Sequence, residues 1–293
     1  MTSCRDRDTV LGHRVESVSP FAKQYGWVMH SMISAFWAYR GFILGSVGRE
    51  FQIKYRNSLL GVTWTFLNPL AMVIVYTVIF SHIMRTRLPG TDSSFAYSIY
   101  LCSGIFAWGL FAEIVGRAQN IFLENANLLK KLSFPRLCLP VIVVCTAALN
   151  FGIIFSLFLL LILLLTGHLP GLPLLGLIPV LLLQIAFSVG LGVTLGVLNV
   201  FFRDVGQFFG IVLQFWFWLT PIVYPLAIIP EQFRWALALN PMTHLISAYQ
   251  TVLVNGQWPN WQSLLWVIPL SLLLCSLAIR LFRRHSGEMV DEL

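Results

Sequence analysis

Six long apolar stretches, spread along a chain of 293 residues, leave this sequence one environment in which to fold. They run over about 58–81, 95–116, 137–166, 172–201, 207–228 and 262–282. Each supplies the roughly 20 residues an α-helix needs to cross the hydrocarbon core of a bilayer. Charged residues make up only 11% of the chain and apolar ones 57%, and mean hydropathy is +0.78. A soluble domain carries roughly 25% charged residues. No long segment is polar enough to be such a domain, so lipid solvates the apolar surface. The sequence predicts an all-α integral membrane protein with six transmembrane helices. The third and fourth stretches are long enough to tilt. Pro69, Pro179 and Pro269 fall inside the first, fourth and sixth, where proline is expected to kink a helix.

Lysine and arginine in the flanks set orientation. With the N-terminus inside, eight lie before residue 58: Arg5, Arg7, Arg14, Lys23, Arg40, Arg49, Lys54 and Arg56. Arg117, Lys130, Lys131 and Arg136 sit in the next inner loop, Arg203 in the following one, and Arg280, Arg283 and Arg284 at the C-terminal end. Only Arg85, Arg87 and Arg234 fall outside. Both termini are therefore expected in the cytoplasm. Residues 1–30 are charged and lack the apolar core of a cleaved signal, so 1–32 reads as a cytoplasmic tail. Residues 33–285 form the membrane domain, and 286–293 a short inner tail. The net charge of +7 is accounted for by these flanks; no basic stripe suggests nucleic acid.

Three connections carry structure of their own. Residues 33–57 are expected to form an amphipathic helix at the membrane interface, with Ile33, Phe36, Trp37, Leu44, Val47, Phe51 and Tyr55 on one face and Ile43 at its edge. Arg49 lies on the opposite side. In the inner loop 117–136, Ile121, Phe122, Leu128, Leu129 and Leu132 recur at helical spacing, with Glu124, Asn127, Lys130 and Lys131 opposite. Pro135 is placed to end that helix. This helix either lies on the membrane or offers its polar side to a partner. The external segment 227–260 holds two short runs, about 231–239 and 242–254, each opened by a proline. Both are too short to span, which suits a re-entrant or interfacial cap; an ordinary external loop is the plainer alternative.

Catalytic signatures are missing from the sequence. There is no HExxH, no GxSxG, no dinucleotide fingerprint and no GxxxxGK[ST] loop. Cys4, Cys102, Cys138, Cys145 and Cys275 show no CxxC and no metal spacing, and read as small apolar fillers. No cofactor or metal is expected. Ionisable residues inside the stretches are scarce, which argues against an ion-coupled pump. Glu113 is the exception, and an i,i+4 pair with Arg117 is its simplest assignment. Aromatics concentrate at Trp108, Phe111 and the run Phe215, Trp216, Phe217 and Trp218. Core packing is the plainer account of these rings. A flat-faced lining for sugar rings is the sharper one. Gly192 and Gly196, four residues apart, permit close helix approach.

Taken in order, several short runs resemble the membrane-spanning subunit of type 2 ABC exporters, and most closely those of bacterial polysaccharides such as O-antigen, capsule and teichoic acid. They are Arg49 to Arg56, Leu60 to Trp64 with Asn68-Pro69, Glu124 to Lys131, Phe134-Pro135-Arg136, Phe202 to Val205, Thr220 to Pro225 and Leu239 to Met242. The resemblance covers about residues 33–285 and implies a homodimer in the bacterial inner membrane, each copy half a channel, working with two copies of a separate ABC ATPase. It implies that Arg49, Glu124, Lys130, Lys131, Arg203 and Asp204 serve coupling to that ATPase. It also implies an outer gate at 227–260, with the first and fifth spans lining a conduit to which Trp108, Phe111, Trp216, Trp218 and Tyr224 contribute. A drug or lipid exporter of the same fold stays open, because fold alone does not select a substrate. A membrane-embedded enzyme stays open too, though no polar cluster at one membrane face supports it.

Because the chain carries no phosphate-cradling loop, the purified protein alone is expected not to hydrolyse ATP. Turnover by contaminant-free protein in a phosphate-release assay would refute that expectation.

Overall fold

The computed structural model describes residues 39–55, 63–79, 95–131 and 138–292. The chain divides into Met1–Gly41 and Phe42–Leu293, and the account below concerns the second unit. Among the described residues the regular elements are helical. In chain order they are α1 (Arg40–Tyr55), α2 (Trp64–Thr77), α3 (Ala96–Ala118), α4 (Ile121–Glu124), α5 (Ala126–Lys131) and α6 (Cys138–Thr166). Then come α7 (Leu177–Phe201), α8 (Asp204–Leu219), α9 (Glu231–Ala238), α10 (Pro241–Asn255), α11 (Trp261–Leu264), α12 (Val267–His285) and α13 (Glu288–Glu292).

Four helical stretches are long and apolar enough to cross a membrane: Ala96–Ala118, Cys138–Thr166, Leu172–Phe201 and Trp261–His285. They match the second, third, fourth and sixth apolar stretches of the sequence. Helix α3 is the axis of the bundle, with 72% of its apolar window buried inside the chain against 17% for α6. It packs on α6, α7 and α10. Its buried side chains, among them Phe106, Leu110, Phe111 and Ile114, join Phe187 of α7 and Met242, Leu245, Ile246 and Tyr249 of α10 in one core. Leu149, Leu160 and Leu164 of α6 and Leu272 and Leu273 of α12 are exposed, as a lipid-facing surface requires.

Glycine sets two of these crossings. A Cβ on Gly190 would stand 2.7 Å from the backbone nitrogen of Cys275, so α7 and α12 meet backbone to backbone. One turn and a half further on, a Cβ on Gly196 would stand 2.5 Å from the carbonyl oxygen of Ala118, and one on Gly192 2.7 Å from the Ala118 Cβ. The small residues let α7 lie directly on α3, the arrangement expected where helices have only packing and hydrogen bonds to hold them together in lipid.

Several expectations are corrected. Pro179 and Pro269 stand near the starts of their α-helices, just after the 3₁₀ segment Leu172–Gly176 and just after the turn that follows Leu264. Each is the third residue of α7 or α12, in the first turn, where the missing N–H has no intrahelical acceptor to lose. Pro69 does lie inside α2. The fifth apolar stretch is not one helix over 207–228: α8 stops at Leu219, because Pro221 holds Thr220 in an extended conformation (ψ 136°). The inner-loop helix is two, broken at Asn125, whose side chain donates to the Ile121 carbonyl at 2.8 Å. Its sidedness is as read from the spacing, with Ile121, Phe122 and Leu129 buried and Glu124, Asn127 and Lys130 exposed. Pro135 lies outside the described residues.

On α1 the buried positions are Ile43 and Val47, whereas Leu44 is 70% exposed. The face turned to the bundle is thus centred on Ile43, not on Leu44 as the sequence suggests. Apolar residues occur all round this helix, so periodicity could not choose between neighbouring faces. Ile33, Phe36 and Trp37 lie outside the described residues, as do the whole of 1–32 and both ends of the first apolar stretch. Near the other end of the chain, α13 places Met289, 3% exposed, in a second core with Phe122, Leu139, Val197 and Phe282.

Replacing Gly196 by leucine forces side-chain atoms into the Ala118 backbone, and overpacking of this kind costs roughly 1–3 kcal/mol or more. At Gly109 nothing lies within 4 Å of where a Cβ would stand, so Gly109→Ala is expected to unfold at or above the parent temperature. Thermal unfolding in detergent compares the two, and equal behaviour would contradict the close crossing.

Candidate functional site

The residues singled out by sequence occupy two ends of α8. At its start lie the turn from α7 and the α3–α4 connection. Arg203 is the N-cap of α8 and Asp204 its first residue, where a carboxylate suits the helix dipole. Both are exposed, as are Glu124 at the end of α4 and Lys130 in α5. The side chain of Lys131 is outside the described atoms. Arg49 is exposed on α1, donates to the Ser46 hydroxyl at 2.9 Å and lies over the Phe42 ring at 5.9 Å.

A residue that the sequence reading passed over joins these connections. Asn199, 1% exposed near the end of α7, donates through Nδ2 to the Gln119 carbonyl at 2.9 Å and to Asn120 Oδ1 at 3.0 Å. Its Oδ1 accepts from the Gly206 backbone N–H at 2.9 Å. One buried amide therefore ties the α3–α4 turn to the first turn of α8. The signal was present: an asparagine in an apolar stretch, four residues before Arg203, must find partners because burying an amide without them is costly.

Glu113 has the company the sequence assigned it, and more. Arg117 Nη1 lies 3.9 Å from Glu113, but its short contact is a 2.6 Å bond from Nη2 to Glu50 of α1. Glu113 in turn accepts from Asn150 of α6 at 2.9 Å. Helices α1, α3 and α6 are thereby joined by one half-buried polar chain.

At the far end of α8 the rings form two groups. Trp108 and Phe111 of α3, Phe187 of α7 and Trp216 and Phe217 of α8 pack with centroid separations of 5.2–6.4 Å, mostly edge to face. Trp108 is 8% exposed and Phe111 fully buried. Phe215 and Trp218 are 66% and 60% exposed, and Trp218 meets the cluster edge to face at Phe217, ring centroids 5.3 Å apart. With Phe208 and Ile211 they make an exposed apolar stripe along α8. The rings lie in the last turns of α8, not at the middle of a longer span, because the helix ends at Leu219.

The irregular segment after α8 is held by side chains. Tyr97 and Tyr100 of α3 donate to carbonyls of Val223, Pro221 and Tyr224, the two Tyr100 bonds at 3.1 Å. Gln250 of α10 reaches the Pro221 carbonyl at 3.3 Å, and the Tyr224 hydroxyl donates to the Trp218 carbonyl at 2.8 Å. Asn240 is the hub. It caps α10 by accepting from the Met242 N–H at 3.0 Å, accepts from Trp216 Nε1 at 2.9 Å, and donates to the Thr220 hydroxyl at 3.0 Å. Thus Thr220-Pro221 and Asn240-Pro241, far apart in sequence, form one structural unit. As the sequence predicts, prolines open both short helices of this region: Pro230 is the N-cap of α9 and Pro241 the first residue of α10. Helix α9 is largely exposed and α10 is a core element.

Comparison with known proteins decides the family. The ABC-2 type transporter family matches residues 43–254. The chain belongs to that family. This ABC-2 protein is 31% identical to the O-antigen export system permease protein RfbA of Myxococcus xanthus over 268 residues, 90% of this chain and 100% of the relative. It is 30% identical to the protein of that name from Klebsiella pneumoniae, over 79% of this chain and 87% of the relative. It is 22% identical to the polysialic acid transport protein KpsM of Escherichia coli, over 83% and 92%. As an ABC-2 permease with several apolar membrane helices, it is a multi-pass inner-membrane protein.

The Asn240 hub generates a graded prediction. Asn240→Ala removes the helix cap and strands the Trp216 N–H, and is expected to cost roughly 2 kcal/mol or more. Asn240→Asp keeps both accepting bonds and loses only the donation to Thr220, so it should fall between parent and alanine. Unfolding in detergent followed by tryptophan fluorescence ranks the three; equal losses for the two variants would refute the capping role.

Proposed function

We propose that this chain is the transmembrane subunit of an ATP-driven exporter that moves a lipid-linked polysaccharide across the inner membrane. Two copies form the channel, and two copies of a separate ABC ATPase supply the energy. The chain itself is a transport subunit, not an enzyme. The observation that carries this reading is its likeness along nearly the whole chain to permeases named for O-antigen export. The match to a polysialic acid transport protein extends the same substrate class to a second polymer. In this reading the chain crosses the membrane six times with both termini in the cytoplasm, α2 and α8 supplying the first and fifth crossings. The segment after α8, with α9 and α10, forms an outer gate.

Glu124, Lys130, Lys131, Arg203 and Asp204 dock on the ATPase, with Arg49 on the interfacial helix beside them. The exposed positions of Glu124, Lys130, Arg203 and Asp204 favour this assignment, and Asn199 supplies a route by which a push on α4 reaches the start of α8. The glycan slides past aromatic faces, which bind sugar rings without fixing their register. Trp218 is the first of these, because it is exposed, with Tyr224 beyond it. Trp108, Phe111 and Trp216 form the packed wall behind them and meet substrate only if that wall opens.

Export assayed with protein abundance in the same membranes tests the reading. Trp218→Leu keeps apolar bulk and removes the flat face; surface polymer is expected to fall several-fold at unchanged protein level. Reversal of Lys130 or Asp204 is expected to lower export likewise, without loss of protein. Export that tracks abundance in all three variants would remove both the stacking and the docking assignments.

A further inference from the structure

The polar chain through Glu113 is the floor of a cleft whose occupant the transport reading does not supply. Two adjoining hollows, about 390 and 250 Å³, share Glu113 and Asn150. The larger is lined by Glu50, Phe51, Ile53, Glu113, Arg117 and Thr146 together with Asn150. The smaller continues between α2, α3 and α6 along apolar side chains, among them Pro69, Met72, Leu110, Phe151 and Ile154. Among the described residues the cleft has an apolar, exposed rim, with Ile53 and Met72 at 69% and 45%. It is polar at one end and greasy along its length.

Two features of the polar end call for a ligand. The first is charge. Among the described side chains lining the polar end, two carboxylates, Glu50 and Glu113, face one cation, Arg117, which spends its short bond on Glu50 while standing 3.9 Å from Glu113. Glu113 is left with one neutral donor, Asn150 at 2.9 Å. A carboxylate at the edge of an apolar cleft seeks a cationic donor. The second is Thr146. It lines the same hollow, is 8% exposed, and its Oγ1 has no hydrogen-bond partner. A buried hydroxyl without a partner costs free energy that a ligand can restore.

We propose that this cleft binds a zwitterionic phospholipid bearing a primary amine, of the phosphatidylethanolamine class. The ammonium group sits against Glu113 and Glu50, giving both carboxylates further N–H donors. The phosphate takes the remaining donors of Arg117 and the hydroxyl of Thr146. One acyl chain follows the apolar hollow past Pro69 and Leu110. An excess of one carboxylate disfavours a purely anionic headgroup, whether a phosphatidylglycerol or a polyprenyl diphosphate carrier. A quaternary ammonium keeps its charge but offers no N–H. The site lies among α1, α2, α3 and α6, and none of its lining residues belongs to the exposed aromatic stripe of α8.

Native mass spectrometry of the purified full-length chain tests this, with phosphatidylethanolamine, phosphatidylcholine, phosphatidylglycerol and a polyprenyl diphosphate added at equal concentration and matched chains where they exist. The first bound molecule is expected to be phosphatidylethanolamine, with at least fivefold preference over each of the others. Glu113→Gln is expected to lower that preference at least fivefold and to raise phosphatidylglycerol binding, because it removes the carboxylate that disfavours an anionic headgroup. Glu50→Gln provides the same test if the first variant does not fold, and the lipid comparison on the unsubstituted chain needs no variant. Equal binding of the lipids, a preference for an anionic one, or a preference that survives the substitution would each overturn the proposal.

Discussion

The contact on which the rest of this bundle depends is the one between the backbones of α7 and α3 at Gly192, Gly196 and Ala118. Within lipid there is no hydrophobic gain in joining two apolar helices, so association rests on close packing and hydrogen bonds. Three small residues bring the helix axes close enough for both. With α7 and α3 so near, Gln184 reaches the Ala107 carbonyl at 2.6 Å and Asn199 reaches Gln119 and Asn120. The glycines therefore place the polar links as well as the apolar core. Any side chain at Gly196 would part these helices and break the Asn199 links at the same time.

Those links give α8 two fixed ends. Its first turn is tied to the α3–α4 connection through Asn199 and Gly206, and its last turn to α10 through Trp216, Thr220 and Asn240. Between them its exposed stripe of Phe208, Ile211, Phe215 and Trp218 stays outside the core cluster of the described residues. A short helix anchored at each end moves as a rod rather than by bending. The proposed coupling would use these two ties, one at the α3–α4 connection and one at the aromatic end.

What the sequence disclosed and what it withheld divide along physical lines. Length and hydropathy placed α3, α6, α7 and α12 to within a few residues, because a membrane helix has to match a fixed thickness. Proline-opened helices α9 and α10 were legible from Pro230 and Pro241. The face of α1 was not, since apolar residues surround it, and Leu44 and Ile43 differ by only one position. Long-range pairs were also hidden: Glu113 has a local partner that spacing reveals in Arg117, but nothing local points to Glu50 or Asn150. The candidate aromatics were found as residue types. Which of them pack inward, as Phe111 does, and which face out, as Trp218 does, depends on where α8 ends, and that rests on a single proline.

The end of α8 shows how such a break is tolerated. A helix of 16 residues is about 24 Å long, less than the hydrocarbon thickness of roughly 30 Å. The chain beyond it runs through turns and a short 3₁₀ segment, Leu226–Ile228, before α9. Irregular backbone at membrane depth survives only where protein or a water-filled cavity satisfies its polar groups. Here the carbonyls of Trp216, Trp218, Pro221, Val223 and Tyr224 each accept from a side chain: Thr220, Tyr224, Tyr100 and Gln250, Tyr97, and Tyr100 again. Ile222, fully buried, anchors the turn against α3 close to Gly104. Tyr97 and Tyr100 thus hold the segment after α8 by their hydroxyls. They supply donors to carbonyls that have left the helix, and the Tyr224 hydroxyl bonds to the carbonyl of the exposed Trp218.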